Sequence, residues 1–136
     1  MKPDKYYNLP HRKFKLKYHL IFSTKYRKKC LTYIEKDLKD SCKRASDMQD
    51  TWRIDVIEID KDHIHFLINA TPDVSISQVV KKLKQITTYD MWQKHHKYLG
   101  SLYWSGKHHL WTKGYFCATV GDASISTIEN YIRNQE

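Results

Sequence analysis

The sequence predicts an α+β domain in which an antiparallel four-stranded sheet is covered on one face by two helices, with a further helix at the C terminus. Three observations carry this reading. Phe14, Leu16, Tyr18, Leu20 and Phe22 alternate with Lys15, Lys17, His19 and Ile21, the two-residue period of a half-buried strand. Trp52 to Ile59 and His63 to Ala70 are β-rich runs separated by Asp60-Lys61-Asp62, as in a hairpin. Apolar residues recur at helical spacing in two other segments, Ile34, Leu38, Cys42, Ala45 and Ile76, Val79, Val80, Leu83, Ile86. With a last β-rich region from Leu110 to Val120, the order becomes β-α-β-β-α-β, the split β-α-β plan of ferredoxin-like domains.

Each element has its own punctuation. Residues 1–13 are polar, basic and carry Pro3 and Pro10, which predicts a mobile arm ahead of a single domain over 14–136. After the first strand, Lys25-Tyr26-Arg27-Lys28-Lys29 forms a basic loop with an embedded ring. Thr32 and Glu35 have the spacing of a capping box, so the first helix is expected from there to about Met48. The second helix is expected from Ser75 to His95, with Lys81, Lys82 and Lys84 on its wet side, followed by a Gly100–Gly106 loop that carries Trp104. The third starts at Ser124 or Ser126 and shows Ile125, Ile128 and Ile132 on one face.

Composition narrows the function classes. Hydrophobic residues make up 40% and charged residues 29% of the 136, the balance of one globular domain. No apolar run approaches the roughly 18 residues of a membrane helix, and the N terminus lacks the apolar stretch of a signal peptide, so a cytoplasmic location and no membrane partner are expected. Cys30, Cys42 and Cys117 are scattered and odd in number, which argues against a disulfide framework or zinc ribbon; Cys42 and Cys117 read as small core hydrophobes. A net charge of +9 points to a polyanion, and 10 Tyr with 4 Trp supply rings that can stack on unpaired bases.

The densest chemistry lies in Asp62-His63-Ile64-His65-Phe66. Along a strand His63 and His65 share one face while Ile64, Phe66 and Ile68 take the other, so the two imidazoles can meet one metal ion. With 8 His in 136 residues about half a His-x-His arises by chance, so the triplet alone decides nothing. The apolar face of this strand is needed by the two crossover helices, which puts the histidines on the open face, where the terminal helix can pack. Tyr131 and Gln135 lie four residues apart on that helix and project from one side. Read blandly, they are an amphipathic edge and a surface amide. Read as chemistry, two neutral imidazoles and an amide oxygen leave a divalent ion open to phosphate oxygens, while a nearby phenol attacks phosphorus and forms a phosphotyrosine.

Five pieces in this order, Tyr18-His19-Leu20-Ile21-Phe22-Ser23-Thr24-Lys25-Tyr26-Arg27, Asp62-His63-Ile64-His65, Leu110-Trp111-Thr112-Lys113-Gly114-Tyr115-Phe116, Val120-Gly121 and Tyr131-Ile132-x-x-Gln135, resemble the single-tyrosine HUH transposases of the insertion-sequence 200/605 family. The resemblance covers about residues 14–136. It implies a ferredoxin-like or RRM-like homodimer, with active sites that can be composite between subunits, that excises and inserts single-stranded DNA with subterminal hairpins in a prokaryotic cytoplasm, nucleoid-associated when bound to DNA. By position it implies His63, His65 and Gln135 as ligands of Mg²⁺ or Mn²⁺ and Tyr131 as the nucleophile that takes the 5′ phosphate. Candidate DNA contacts are Arg27, Lys28, Lys29, Lys81, Lys82 and Lys84, with stacking from Tyr26 or Trp104. The chain stops one residue after Gln135, which leaves the third ligand near a fraying end. The alternatives are a non-catalytic RRM-like nucleic-acid binder and a domesticated relative that nicks palindromes. A zinc hydrolase is disfavoured, since no carboxylate or third histidine is evidently placed to complete its ligand set.

Overall fold

The computed structural model describes residues 16–120; the N-terminal arm, Phe14 at the start of the first expected strand, and the expected terminal helix with Tyr131 and Gln135 lie outside the described residues. Strands β1 (Leu16–Ser23), β2 (Trp52–Ile59), β3 (His63–Ala70) and β4 (Phe116–Thr119) form one sheet in the order β2-β3-β1-β4, and every neighbouring pair is antiparallel. Helices α1 (Glu35–Asp47) and α2 (Ile76–Leu102) are the crossovers. This is the expected ferredoxin-like plan: β3 enters between β1 and β2, so the hairpin and the first crossover share one sheet.

Period-two alternation sets the core. Leu20 stands opposite Phe66 and Phe22 opposite Ile64, and these four, with Ile68, join Leu38, Cys42, Val79 and Leu83 in one buried cluster. Burying side chains of this size contributes about 1.5–3 kcal/mol each. Cys42 lies wholly inside and Cys117 packs against the cluster, as expected; Cys30, not singled out in the sequence, is buried too. Burial pushes the Cys30 thiol up to about 11 and that of Cys42 up to about 12, so neither is a ready nucleophile.

Strand β2 carries an irregularity on which the site depends. Ile54 pairs with Ile68 and Val56 with Leu67, so Asp55 is an extra residue and the ladder slips by one. Beyond the slip Ile57 and Ile59 return to the core side, Val56 is left exposed, and Glu58 comes opposite His65. The Asp55 carboxylate is held there by Arg53 at 3.0 Å and Lys17 at 3.4 Å.

Three expectations about boundaries are corrected. The Thr32–Glu35 capping box does not form: 31–34 is a turn, and α1 begins at Glu35 after Ile34, with no side-chain cap. The reason is tertiary, since the Leu31 N–H donates to the Lys61 carbonyl at 3.0 Å and Ile34 is buried, which ties the turn to the β2–β3 corner. Helix α2 opens on a capping box between Ser75 and Gln78 and runs past His95 to Leu102, with a break at His95 (φ −130, ψ 36). Buried Leu99 and Tyr103 carry the chain on, so Gly100 is helical rather than the start of a loop. The last strand is shorter than expected because only Trp111 bridges to Thr24 before the chain leaves the sheet and returns at Phe116.

Lys84 explains that excursion and corrects its own placement on the wet side of α2. Its ammonium donates to the carbonyls of Thr112, Lys113 and Gly114 at 2.7, 3.0 and 3.0 Å, and lies 5.2 Å from the centre of the Phe22 ring. Burial lowers the affinity of this amine for its proton. Lys84→Met is expected to destabilise the fold by about 1.5–3 kcal/mol, the worth of hydrogen bonds from a charged donor, read as a lower urea midpoint. A change in DNA affinity with an unmoved midpoint would count against this role.

Candidate active site

His63 and His65 stand on β3 with their intervening Ile64 in the core, so both imidazoles lie on the sheet face away from the cluster, as alternation requires. His63 pairs with Ser23 of β1; His65 lies between Ile21 of β1 and Glu58 of β2. Ile21 shares this face and is fully buried, so the face is not bare sheet at its centre.

Each imidazole gives the same atom to a carboxylate. His63 Nδ1 is 3.1 Å from Asp62 Oδ1, and His65 Nδ1 is 3.3 Å from Glu58 Oε1. Ionised carboxylates only accept, so in each neutral ring the proton sits on Nδ1 and the lone pair on Nε2. This is the arrangement in which a histidine is oriented for a metal ion by its other nitrogen. Among the described residues no three His, Cys, Asp or Glu side chains are grouped to hold a metal ion by themselves, so the pair needs a further donor to complete a shell. The two rings and the carboxylates of Glu58 and Asp60 border a cleft of about 250 Å³.

Burial, and then the neighbouring His19, hold the His65 pKa below the ordinary imidazole value, which favours its neutral form. Burial alone would raise Asp62, but hydrogen bonds and charge from His63 and Arg27 outweigh it and hold the carboxyl below its usual range. The Arg27 guanidinium reaches Asp62 Oδ2 at 3.1 Å, while the Asp62 carbonyl accepts from the Thr24 N–H at 2.9 Å. A turn at Lys25–Arg27 makes this possible. Tyr26 (φ 59) and Arg27 (φ 53) are both left-handed, a conformation that costs non-glycine residues on the order of 1–3 kcal/mol each. The reversal sends Arg27 in to Asp62 and leaves Tyr26 exposed.

Sequence reasoning missed His19, Glu58 and Asp60 as neighbours of the pair, although among the described residues none of them completes a metal-ligand set with it. His19 Nδ1 lies 3.1 Å from His65 Nε2, the rings 5.3 Å apart, so the His19 N–H occupies the lone pair that a metal ion would use. Its signal was the alternation itself: His19 was already placed opposite to Leu20 and Phe22. Of the expected DNA contacts, Arg27 and Lys84 are engaged within the fold, while Lys29, Lys81, Lys82, Tyr26 and Trp104 are exposed and Lys28 is half-buried. Tyr131 and Gln135 lie outside the described residues.

Comparison with known proteins settles the family. The profile of IS200-like transposases matches residues 12–135, a span that contains the histidine pair, Tyr131 and Gln135. The chain belongs to this family. An IS200-like transposase acts in DNA transposition, and the relatives agree. The ISDra2 transposase TnpA of Deinococcus radiodurans is 32% identical over 123 residues, covering 90% of this chain and 85% of the relative. The transposase for insertion sequence element IS200 of Salmonella typhimurium is 28% identical over 129 residues, 94% of this chain and 82% of the relative. A crystal structure of a candidate transposase from Deinococcus radiodurans R1 superposes with a TM-score of 0.81 at 30% identity, covering 95% of this chain and 97% of that one. A REP-associated tyrosine transposase bound to a REP hairpin shares the fold, with a TM-score of 0.56 at 11% identity over 91% of this chain and 68% of that one. Among the described residues of this transposase no helix is long and apolar enough to cross a membrane.

Proposed function

We propose that this transposase is a single-tyrosine HUH enzyme that cleaves and rejoins single-stranded DNA through a 5′-phosphotyrosine on Tyr131, with His63, His65 and Gln135 holding Mg²⁺ or Mn²⁺. The observation that supports it most is the matched pair of imidazoles on one face of β3, each with Nδ1 on a carboxylate and Nε2 turned away from it, that of His65 being held by His19. The donor set fits a divalent ion, provided that His19 gives up its hydrogen bond to His65. When bound, such an ion offsets negative charge on the scissile phosphate.

The remaining steps belong to the chain. Arg27 fixes Asp62, and Asp62 keeps the His63 ring and its tautomer in place. The Tyr131 phenolate oxygen attacks phosphorus in line, the tyrosine O–P bond forms as the P–O3′ bond breaks, and the departing oxygen takes a proton to become a 3′ hydroxyl. Rejoining is the reverse, with an incoming 3′ hydroxyl displacing tyrosine, so the bond energy is conserved and no nucleotide cofactor is consumed. Residues 14–136 act as one catalytic domain behind a basic arm, at work in the cytoplasm and nucleoid. Hairpin-bearing ends are the DNA partner, in keeping with the hairpin bound to the REP-associated neighbour. A homodimer, with Tyr131 of one subunit serving the histidines of the other, is the assembly we favour.

The test is incubation with end-labelled single-stranded DNA that carries a hairpin. With Mn²⁺, an SDS-resistant protein–DNA adduct and a free 3′ hydroxyl are expected; with EDTA, neither. An adduct that forms equally in EDTA removes the metal from the reading. Binding without cleavage in any divalent ion supports the RRM-like binder instead.

A further inference from the structure

A second constellation lies away from the histidines, where α1 begins beside the end of α2. Tyr33 is 66% exposed, and its ring stacks on Tyr98 with centroids 4.0 Å apart and planes 23° from parallel. His95 meets Tyr33 edge-on at 6.1 Å. The rings line a shallow pocket of about 190 Å³ that Lys94, His96 and Lys97 complete.

This pocket is built by two features that helical geometry alone does not supply. The break at His95 redirects the last turns of α2, and His95 Nε2 is pinned to Asp37 of α1 at 2.7 Å. The same carboxylate lies 3.9 Å from Lys94, which leaves Lys97 as the cation with no such neighbour among the ion pairs described. Burial, with Cys30 and Tyr33 beside it, raises the Tyr98 phenol above its ordinary value.

We propose that the Tyr33–Tyr98 stack is a platform for an unpaired base of single-stranded DNA, with Lys97 and Lys94 meeting the adjoining phosphates. Every base has a π-face, so an exposed ring backed by a second ring and flanked by lysines takes single strands with little regard to sequence. Position supports the assignment. The Leu31 N–H bonds the Lys61 carbonyl, two residues before His63, so the path from Tyr33 across that bond to His63 spans at most about 20 Å at 3.8 Å per residue. A strand cut at the histidines on the open face would pass round the β2–β3 corner to meet the platform. The inference rests on the reading of single-stranded DNA as the substrate.

The experiment measures binding of a fluorescent, unstructured oligothymidylate to the full chain in EDTA, where cleavage is absent. Tyr33→Ala is expected to weaken affinity about 5- to 150-fold, the range for loss of one stacked base, while Tyr33→Phe binds like the parent. Tyr33→Leu preserves an apolar contact on Tyr98 without the aromatic face, so it should lose as much as Tyr33→Ala even if the latter folds poorly. An oligonucleotide bearing 5-iodouracil should crosslink to Tyr33 or Tyr98. Parental affinity in Tyr33→Leu, with crosslinks elsewhere, overturns the platform. Failure of the parent protein to bind any single strand overturns the substrate reading beneath it.

Discussion

Tyr131→Phe is expected to bind hairpin-bearing DNA like the parent protein and to form no covalent adduct with it. The substitution removes one oxygen and preserves the ring, so the size and apolar character of the side chain are kept. A phenol with an ordinary pKa near 10 reacts only as its minor phenolate fraction, and proximity to a cation raises that fraction. Without the oxygen no other group nearby in sequence supplies the same reach, and loss of a covalent nucleophile costs on the order of 10⁶-fold in turnover. Single-turnover cleavage with mass mapping of the DNA-linked peptide measures this directly. Adduct persisting at the parental rate would move the nucleophile to another residue. In a composite dimer, mixing Tyr131→Phe with His65→Ala restores one intact site per heterodimer, so partial recovery on mixing tests the exchange of helices.

The second large effect is expected at the histidines. His65→Ala should weaken Mn²⁺ binding by more than about 100-fold, and Asp62→Ala by about 10- to 100-fold, the range for residues that orient a ligand without touching the metal. Electron paramagnetic resonance of free Mn²⁺ separates affinity from turnover. The pH dependence has a definite sign. Because burial and His19 hold His65 below its ordinary value near 6.5, protons compete for its lone pair only as the pH falls beneath that value, and metal binding is lost there rather than at neutral pH. Equal Mn²⁺ affinity in His65→Ala and the parent would remove His65 from the ligand set.

What the sequence revealed follows from the range of the interactions involved. Alternation through Leu16, Tyr18, Leu20 and Phe22 and through Ile64, Phe66 and Ile68 is local, so the sheet and the side on which His63 and His65 stand could be read directly. The start of α1 could not. Thr32 and Glu35 have the right local pattern, but a bond from Leu31 to Lys61, thirty positions later, holds the turn open. Lys84 resembled any solvent-facing lysine because its three carbonyl partners lie 28 to 30 residues downstream. The break at His95 coincides with a bond to Asp37, 58 residues earlier. His19 was assigned to the correct face, yet its meeting with His65 requires the register of β1 against β3, which no pattern within either strand encodes.

The extra residue in β2 has one more consequence. Counting back from His65 through an unbroken ladder would put Ile57 opposite it and turn Glu58 inward among the hydrophobes; with Asp55 inserted, the acid stands beside the imidazole instead. The strand thus has a parity, like a reading frame. Were Asp55 to take a place in the ladder, an isoleucine would be exchanged for a carboxylate in the interior and His65 would lose its acidic neighbour, although both would still be present in the chain.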